Sequence, residues 1–352
     1  MSEILIDIQK VENLHSGLGQ FMLHLSKSLM SLNSAANFIF FLKSKDKDKV
    51  PSHFKLKFST QSLQKWGMSI GADKNVIHAT HQESKLVPFF GNHKVILTIH
   101  DLNFLYKKYS PLKKQIKLWK IQRKIDKATV VTFISNFTKT EVEQNLNLIG
   151  KHTQVIYNGV DVLLENPTQP EWMSYVGDYI FSLALITEKK NFHVILNILK
   201  NQPKLFWVLA GSKSSNYARF ILSEAEKMGL DGRVIMPGVI DDNDKSWLYK
   251  NCLAFCFPSL SEGFGLPVVE AMQAGKPVFL SNKTSLPEIG GKEAFYWDNF
   301  EESAMNKVFN EGMQKYNTDA DMKLRLQNWA AQFSWQNAAN AYNKLYIDLM
   351  NK

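Results

Sequence analysis

Short apolar runs recur along this chain, each closed by a polar or glycine-bearing turn and followed by a stretch with apolar residues three and four apart. In the first half the runs Glu3 to Ile8, Asn37 to Leu42, Val76 to Ala79, Val95 to Ile99, Thr129 to Ile134 and Gln154 to Tyr157 read as strands. In the second, Tyr179 to Ile186, Leu205 to Ala210, Arg233 to Met236, Leu253 to Phe257 and Pro277 to Leu280 do the same. Helical patterns fill the gaps: from about Gln20 to Leu32, through the basic stretch Tyr106 to Lys127, and from Ser135, where Ser135 or Thr138 is the cap. Later ones cover Phe192 to Leu199, Tyr217 to Met228, a segment starting near Asp244, Pro267 to Ala274, and residues 301–332. FSWQNAANAYNKLYIDLM closes the chain as an aromatic-rich helix, and the charged segment Lys43 to Lys49 reads as a solvated loop. This alternation predicts an α/β fold.

At 352 residues the chain is long for one core and suits two α/β domains. Pro167 and Pro170 mark a linker, which bounds an N-terminal domain at 1–165 and a C-terminal one at 171–332, with 333–352 left as a final helix. The apolar runs stop short of membrane-spanning length, and no secretory leader is expected. With only Cys252 and Cys256, neither a disulfide framework nor a metal set is predicted, and a cytoplasmic location fits. Charge is uneven: residues 1–170 carry 23 Lys and Arg against 13 Asp and Glu, and the remainder 19 against 20. The excess predicts an anionic partner for the first half, or serves solubility alone. On a helix, Lys113, Lys117, Lys120, Lys124 and Lys127 share one face, with Leu112, Ile116, Leu118, Trp119, Ile121 and Ile125 spread opposite. Such a helix at 112–127 meets an anionic membrane surface, receives a phosphate-bearing acceptor, or covers the sheet with its basic side in water. Specific nucleic-acid binding is not expected, because the lysines lack interleaved aromatics and no reading motif is present.

Candidate chemistry concentrates in FPSLSEGFGLPVVEAMQAGKPVFLSNKTSLPEIG, Phe257 to Gly290, a strand–loop–helix–strand unit. Gly263 and Gly265 let backbone approach an anion at the coming helix N-terminus, and Pro267 suits the first turn. Glu262 before the helix and Glu270, read as inside its first turn, can accept hydrogen bonds from hydroxyls. A ligand with both phosphates and hydroxyls fits, and a nucleotide sugar is one. The words EGFGLP, EAM, AGKPV and LPE, with two glutamates separated by seven residues, resemble the retaining glycosyltransferases of the GT-B fold, family 4 (group 1).

That resemblance runs nearly full length. It implies two Rossmann-like domains facing a central cleft, with the last helix crossing back to the first domain. It further implies hexosyl transfer from a nucleotide diphosphate sugar with retained configuration and no divalent metal or other cofactor. Glu262 is then expected on the sugar hydroxyls and Glu270 on the ribose. Gly263, Phe264, Gly265 and Leu266 are expected at the diphosphate, and Gly238 and Val239 near the base. In TEKKN, Lys190 stabilises the leaving diphosphate beside Asn191. Where family members carry glycine and often arginine, this chain has Ala184 and Leu185, so more of that charge falls to Lys190. In the first domain, Gly17 and Gly19 resemble a donor- and acceptor-side glycine loop, or are packing glycines. His100, at a strand's C-terminal end, is expected to reach the sugar or acceptor. Asp101 orients that imidazole or the acceptor, or caps the next turn, and His81 is a loop histidine.

TIHDL with KKN, lacking the arginine, resembles bacterial mannosyl- or related transferases of surface-polysaccharide assembly, and that resemblance implies GDP-mannose as donor, with a UDP-linked sugar as the alternative. The acceptor is a saccharide or lipid-linked saccharide of bacterial lipopolysaccharide or polysaccharide synthesis, reached from the inner face of the membrane. Rival readings are a GT-B epimerase or phosphorylase, or a noncatalytic GT-B binding protein.

Overall fold

The computed structural model describes residues 3–14, 16–34, 36–59, 76–87, 93–173 and 177–351; His15, beside the predicted glycine loop, lies outside them. The chain divides into two compact units, one made of Met1–Gly159 with Phe333–Lys352 and the other of Val160–Gln332. In chain order the helices are α1 (Gly17–Met30), α2 (Pro111–Lys127), α3 (Asn136–Asn145), α4 (Leu196–Asn201), α5 (Asn216–Lys227) and α6 (Asp242–Asn251). They continue with α7 (Leu266–Gln273), α8 (Leu286–Gly290), α9 (Glu302–Thr318), α10 (Met322–Ala331) and α11 (Trp335–Met350).

The first unit is a parallel sheet of β1 (Glu3–Asp7), β2 (Asn37–Leu42), β3 (Leu56–Phe58), β4 (Val76–Ala79), β5 (Lys94–Ile99), β6 (Val130–Phe133) and β7 (His152–Val155). Its order is β3-β2-β1-β4-β5-β6-β7, with Ile4 opposite Phe38 on one side and Val76 on the other. The second unit's parallel sheet holds β8 (Tyr179–Leu183), β9 (Phe206–Ala210), β10 (Val234–Ile235), β11 (Ala254–Phe257), β12 (Val278–Ser281) and β13 (Phe295–Trp297), ordered β10-β9-β8-β11-β12-β13. The strand order reverses direction between β1 and β4 in one unit and between β8 and β11 in the other. In open α/β sheets ligands bind just beyond the strands' C-terminal ends at such a point. Two such parallel units, with the closing helix returned to the first, have the composition of the GT-B fold.

Serine caps five helices: Ser16, Ser110, Ser135, Ser215 and Ser334 each accept a hydrogen bond from an amide of the first turn. This resolves α3 in favour of Ser135. It also moves the start of α1 to Gly17, so Gly17 and Gly19 stand inside its first turn rather than in a loop before it. Lys43 to Lys49 is not a free loop: Ser44–Lys49 forms a 3-10 turn that buries Asp46 against Lys49, 2.9 Å away.

α2 buries few of its apolar residues. Only Ile121 and Ile125 are buried, while Leu112, Ile116 and Trp119 remain 66%, 45% and 56% exposed. The lysine face is also uneven. Lys124 turns inward to donate to the Gln82 carbonyl at 2.7 Å, and Lys117 pairs with Glu83 at 3.3 Å. Arg123 lies over the Trp119 ring.

α11 returns to the first unit because its aromatic stripe has a partner there. Trp335, Ala338, Tyr342, Leu345, Tyr346 and Leu349 share a core with Phe21 and Leu25 of α1 and with Ile4 and Phe40 of the sheet. Its tyrosines also complete a buried polar chain. His78 Nδ1 meets the Tyr346 hydroxyl at 2.7 Å, His78 Nε2 meets Thr98 Oγ1 at 2.8 Å, and Thr98 meets the Tyr342 hydroxyl at 3.0 Å. Such groups are tolerated inside because each is hydrogen-bonded. Gly159 belongs to the same junction: a Cβ there would lie 2.1 Å from the Trp335 amide nitrogen.

Burial holds His78, His81 and His100 neutral, each with its pKa pushed down to about 3. The unfolded chain protonates these rings near 6.5, so it binds more protons than the folded unit between pH 6.5 and 3. Stability from this source is whole above pH 6.5 and is lost as the pH falls, by up to about 1.4 kcal/mol per histidine per pH unit. The buried Asp7 carboxyl, raised by desolvation, works in the opposite sense over its own titration. Thermal melts of the first unit's signal should therefore drop clearly from pH 7 to pH 5, and a flat profile would contradict the neutral burial of these rings.

Candidate active site

The loops after β8 and β11 meet at the second sheet's switch point. After β8 the chain makes a 3-10 turn, Glu188–Lys190, and Asn191 then takes a left-handed backbone with φ +56°. That kink turns Lys190 inward across the top of β11. Its Nζ forms a short ion pair with Glu262 Oε1 and lies 4.8 Å from the centre of the Phe257 ring. Both side chains are nearly enclosed, 11% and 12% exposed. Ser259 Oγ donates to the same carboxylate oxygen at 2.6 Å. Burial pushes the Glu262 carboxyl up, but Lys190, Lys189 and Ser259 outweigh it and hold the group below its ordinary range. Burial lowers the Lys190 ammonium and Glu262 opposes that, so at neutral pH the pair is ammonium and carboxylate.

The loop Glu262 to Gly265 then feeds α7. Gly265 is the N-cap residue, in a left-handed conformation with φ +114°, and no side chain caps this helix. Leu266 opens the helix and Pro267 follows in its first turn, so amides at the positive end of the dipole are left without a side-chain partner. Phe264 is buried and anchors the loop; Gly263 is partly exposed beside it. This end of the helix can take anionic oxygens, and Lys190, paired with Glu262 of the loop before the helix, supplies a cation.

Glu270 is the fifth residue of α7, one turn deeper than the first-turn place expected of it. Tyr249 donates its hydroxyl to Oε2 at 2.8 Å, and Lys245 stands 3.6 Å from Oε1. Desolvation raises this carboxyl despite both partners, and Asp161 adds to the rise. The two glutamates therefore differ in kind: one is held ionised by an ammonium, the other is pushed toward its neutral form beside a tyrosine.

Other expected residues border the same edge. Gly238 has φ +98° and its carbonyl accepts from the Gly211 amide at 2.8 Å, which ties the β10 loop to the end of β9. Val239 is exposed. Leu185 is 64% exposed after β8, and Ala184 donates its amide to the Ala210 carbonyl. Asp241 caps α6 by accepting from the Asp244 amide. A separate cavity of about 600 Å³, around Gln273, Lys276, Tyr316 and Lys323, lies at the opposite end of α7.

In the first unit His100 is fully enclosed behind β5. Its Nε2–H donates to the Thr80 carbonyl at 2.8 Å, and its ring stands edge-on to Phe21 at 4.6 Å. The neutral ring thus carries its proton on Nε2, leaving Nδ1 as the acceptor nitrogen. Asp101 Oδ1 accepts from the Asn103 amide at 2.9 Å, which makes it a cap of the next turn. Gly19 is a packing glycine, since a Cβ there would sit 2.1 Å from the Asn13 carbonyl, and its amide is used by Ser16; Gly17 is uncrowded. His81 is buried, with Nε2 3.9 Å from Asp7 Oδ2.

Residues absent from the sequence reading complete both switch points. Asp7 ends β1, fully buried, and accepts from Ser84 Oγ and from the Gln9 amide. Ser259, Tyr249 and Lys245 hold the two glutamates. The signals were faint: an aspartate closing an apolar strand, and a tyrosine and lysine four apart on α6. Among the described residues no group of three or more His, Cys, Asp or Glu is arranged to hold a metal ion.

Residues 177–329 match the family described as Glycosyl transferases group 1, and residues 63–162 match Glycosyltransferase Family 4. The serotype-specific mannosyltransferase WbdA of Escherichia coli is 33% identical over 173 residues, 47% of this chain and 21% of its own length. This chain therefore spans about a fifth of WbdA. The O-antigen chain mannosyltransferase B of Escherichia coli is 26% identical over 270 residues, covering 72% of this chain and 71% of that protein. Anabaena Alr3699/HepE, solved in complex with UDP and glucose, superposes with a TM-score of 0.76 at 18% identity, over 98% of this chain and 99% of its own. At that identity the likeness shows a shared fold.

Replacing Lys190 by Ala leaves an enclosed carboxylate without its counter-ion. The second unit should lose about 3 kcal/mol at pH 7 in denaturant melts. The deficit should shrink at pH 5, because burial then raises the unpaired Glu262 carboxyl and it takes up a proton. A variant as stable as the parent at pH 7 would rule out a buried ionised pair.

Proposed function

We propose that this chain, both of whose units belong to glycosyltransferase families, moves a hexose from a nucleotide diphosphate sugar to an acceptor hydroxyl with retention of configuration. The single observation that carries this reading is the Lys190–Glu262 pair beside the uncapped α7 N-terminus. Before a donor arrives, each charge satisfies the other. A diphosphate entering at the helix end offers Lys190 a second anionic partner and adds the helix amides to it. Glu262 keeps Ser259 and presents its second oxygen, Oε2, to sugar hydroxyls. As the leaving diphosphate gains charge, Lys190 and the amides stabilise it, and that stabilisation grows along the reaction. Glu270, with Tyr249 and Lys245 fixing its orientation, accepts from the ribose. Residues 171–332 form the donor domain in this reading, and residues 1–165 the acceptor domain, with His100 and the first turn of α1 on the acceptor side.

A UDP-linked hexose is the donor favoured by the ligands of the solved neighbour. GDP-mannose, the expectation from the motif words, rests on the names of relatives that cover the chain in part. The chemistry of the site suits both. Nucleotide release from a panel of UDP- and GDP-sugars, in chelator and with candidate saccharide acceptors, should single out one donor. Glu262→Gln should cut kcat/KM for it at least ~100-fold, an effect the size of removing one charged transition-state contact. Retention is read from the anomeric signal of the product. Turnover of no nucleotide sugar would overturn the reading in favour of a binding protein, and inorganic phosphate as obligatory co-substrate would make the chain a phosphorylase.

The acceptor side is proposed to be an anionic membrane surface carrying a lipid-linked saccharide, met through α2. Leu112, Ile116 and Trp119 stand in solvent among Lys113, Lys120 and Arg123, a mixture suited to the headgroup boundary. No helix among the described residues is long and apolar enough to cross a membrane. The chain should sediment with phosphatidylglycerol vesicles at low salt and not with phosphatidylcholine ones. Trp119→Ala with Ile116→Ala should weaken that binding at least several-fold; equal binding by both lipids, or by the double variant, would refute it.

A further inference from the structure

Two non-glycine residues among those described have a left-handed backbone, Asn191 and Thr284, and both flank the Lys190–Glu262 pair. Asn191 is a residue type that tolerates this conformation. Thr284, with φ +53°, is not, because the substituents on its branched Cβ crowd the backbone there. A strained position of this kind persists only where the surroundings hold it, and such positions gather at functional sites.

What holds Thr284 is the donor loop. The Glu262 amide donates to Thr284 Oγ1 at 2.9 Å. Next in the chain, Ser285 Oγ shares its one hydroxyl proton between the Glu262 carbonyl at 3.0 Å and the Phe264 carbonyl at 2.9 Å. Ser285 stands at the N-cap of α8, yet makes no side-chain cap bond to that helix. Its hydroxyl serves the loop instead. Leu286 follows, with Cδ2 3.0 Å from where a Cβ on Gly265 would be. Three consecutive residues after β12 therefore hold the Glu262-to-Gly265 loop at both ends. Glycine at 284 would remove the strain but supply no hydroxyl.

We propose that Thr284 is a positioning residue for the donor loop: its left-handed backbone aims Oγ1 at the Glu262 amide and so sets where the Glu262 carboxylate and the α7 N-terminus stand. The consequence for turnover rests on the function proposed above; the consequence for the loop does not. Thr284→Gly relieves the strain but also loses the Oγ1 hydrogen bond, opposed effects on the melting temperature, so this variant is read locally. Its amides at Glu262 to Gly265 should exchange hydrogen roughly tenfold faster, and kcat/KM for the donor should fall by a similar factor, as loss of one hydrogen bond implies. Thr284→Ser, which keeps the hydroxyl, should retain both slow exchange and turnover. The proposal is overturned if the Gly variant exchanges and turns over like the parent, or if the Ser variant fails as badly as Gly. Should the parent use no nucleotide sugar at all, the proposed activity falls, and the Gly-against-Ser exchange contrast still decides the role of Thr284.

Discussion

Parallel pairing is the constraint on which this structure depends. Parallel strands cannot be joined by tight hairpins; each needs a crossover, here mostly helical, and right-handed crossovers return every strand in the same direction. All strand C-termini in a unit therefore end at one edge, and the loops carrying Lys190, Gly238, Glu262 and Thr284 gather there although they are up to 94 residues apart in sequence. Where strand order reverses, neighbouring loops diverge and leave a gap. Lys190 follows β8 and Glu262 follows β11, the two strands on either side of that gap in the second unit. Asp7 ends β1 and His81 follows β4, their counterparts in the first.

The same geometry makes charge at these edges costly, and the two units meet that cost differently. In the second, a lysine and a glutamate are enclosed together, so both stay ionised in place of water. In the first, the histidines are enclosed neutral and Asp7 is crowded by hydroxyl and amide donors. An ionised pair that can change partners suits a ligand bearing phosphate. Enclosed neutral rings suit hydrogen bonding to a hydroxyl. This difference in enclosed charge, more than the basic excess of the first half, is what the proposed division between donor and acceptor domains rests on. The excess itself gathers on α2, whose exposed apolar residues interrupt the lysine face.

The outline of the fold was legible because buried parallel strands must be apolar nearly throughout and helices must show their period. The strands from Glu3 to Leu280 were visible on that ground, and the return of the last helix followed from the GT-B resemblance. β3 escaped, being short and at an edge, where burial imposes little pattern. For α2 the readings stayed open, since periodicity reports which residues are apolar and not whether anything covers them; Leu112, Ile116 and Trp119 are exposed. The start of α1 was placed late because glycines read as a loop, whereas Ser16 had already capped the helix before them.

The sequence by itself determined the α/β class, two units, the donor-loop motif with Glu262 and Glu270, and Lys190 in TEKKN, because each is a local pattern of residue types with its own physical meaning. Only the tertiary structure decided that Lys190 and Glu262 form one ion pair, that Tyr249 and Lys245 hold Glu270, and that Thr284 accepts strain to reach the Glu262 amide. Those facts depend on which strands are neighbours and how far each loop turns. Hydrophobic patterning selects elements, whereas contacts between residues distant in the chain are set by sheet order and by backbone dihedrals that no local run of residue types encodes.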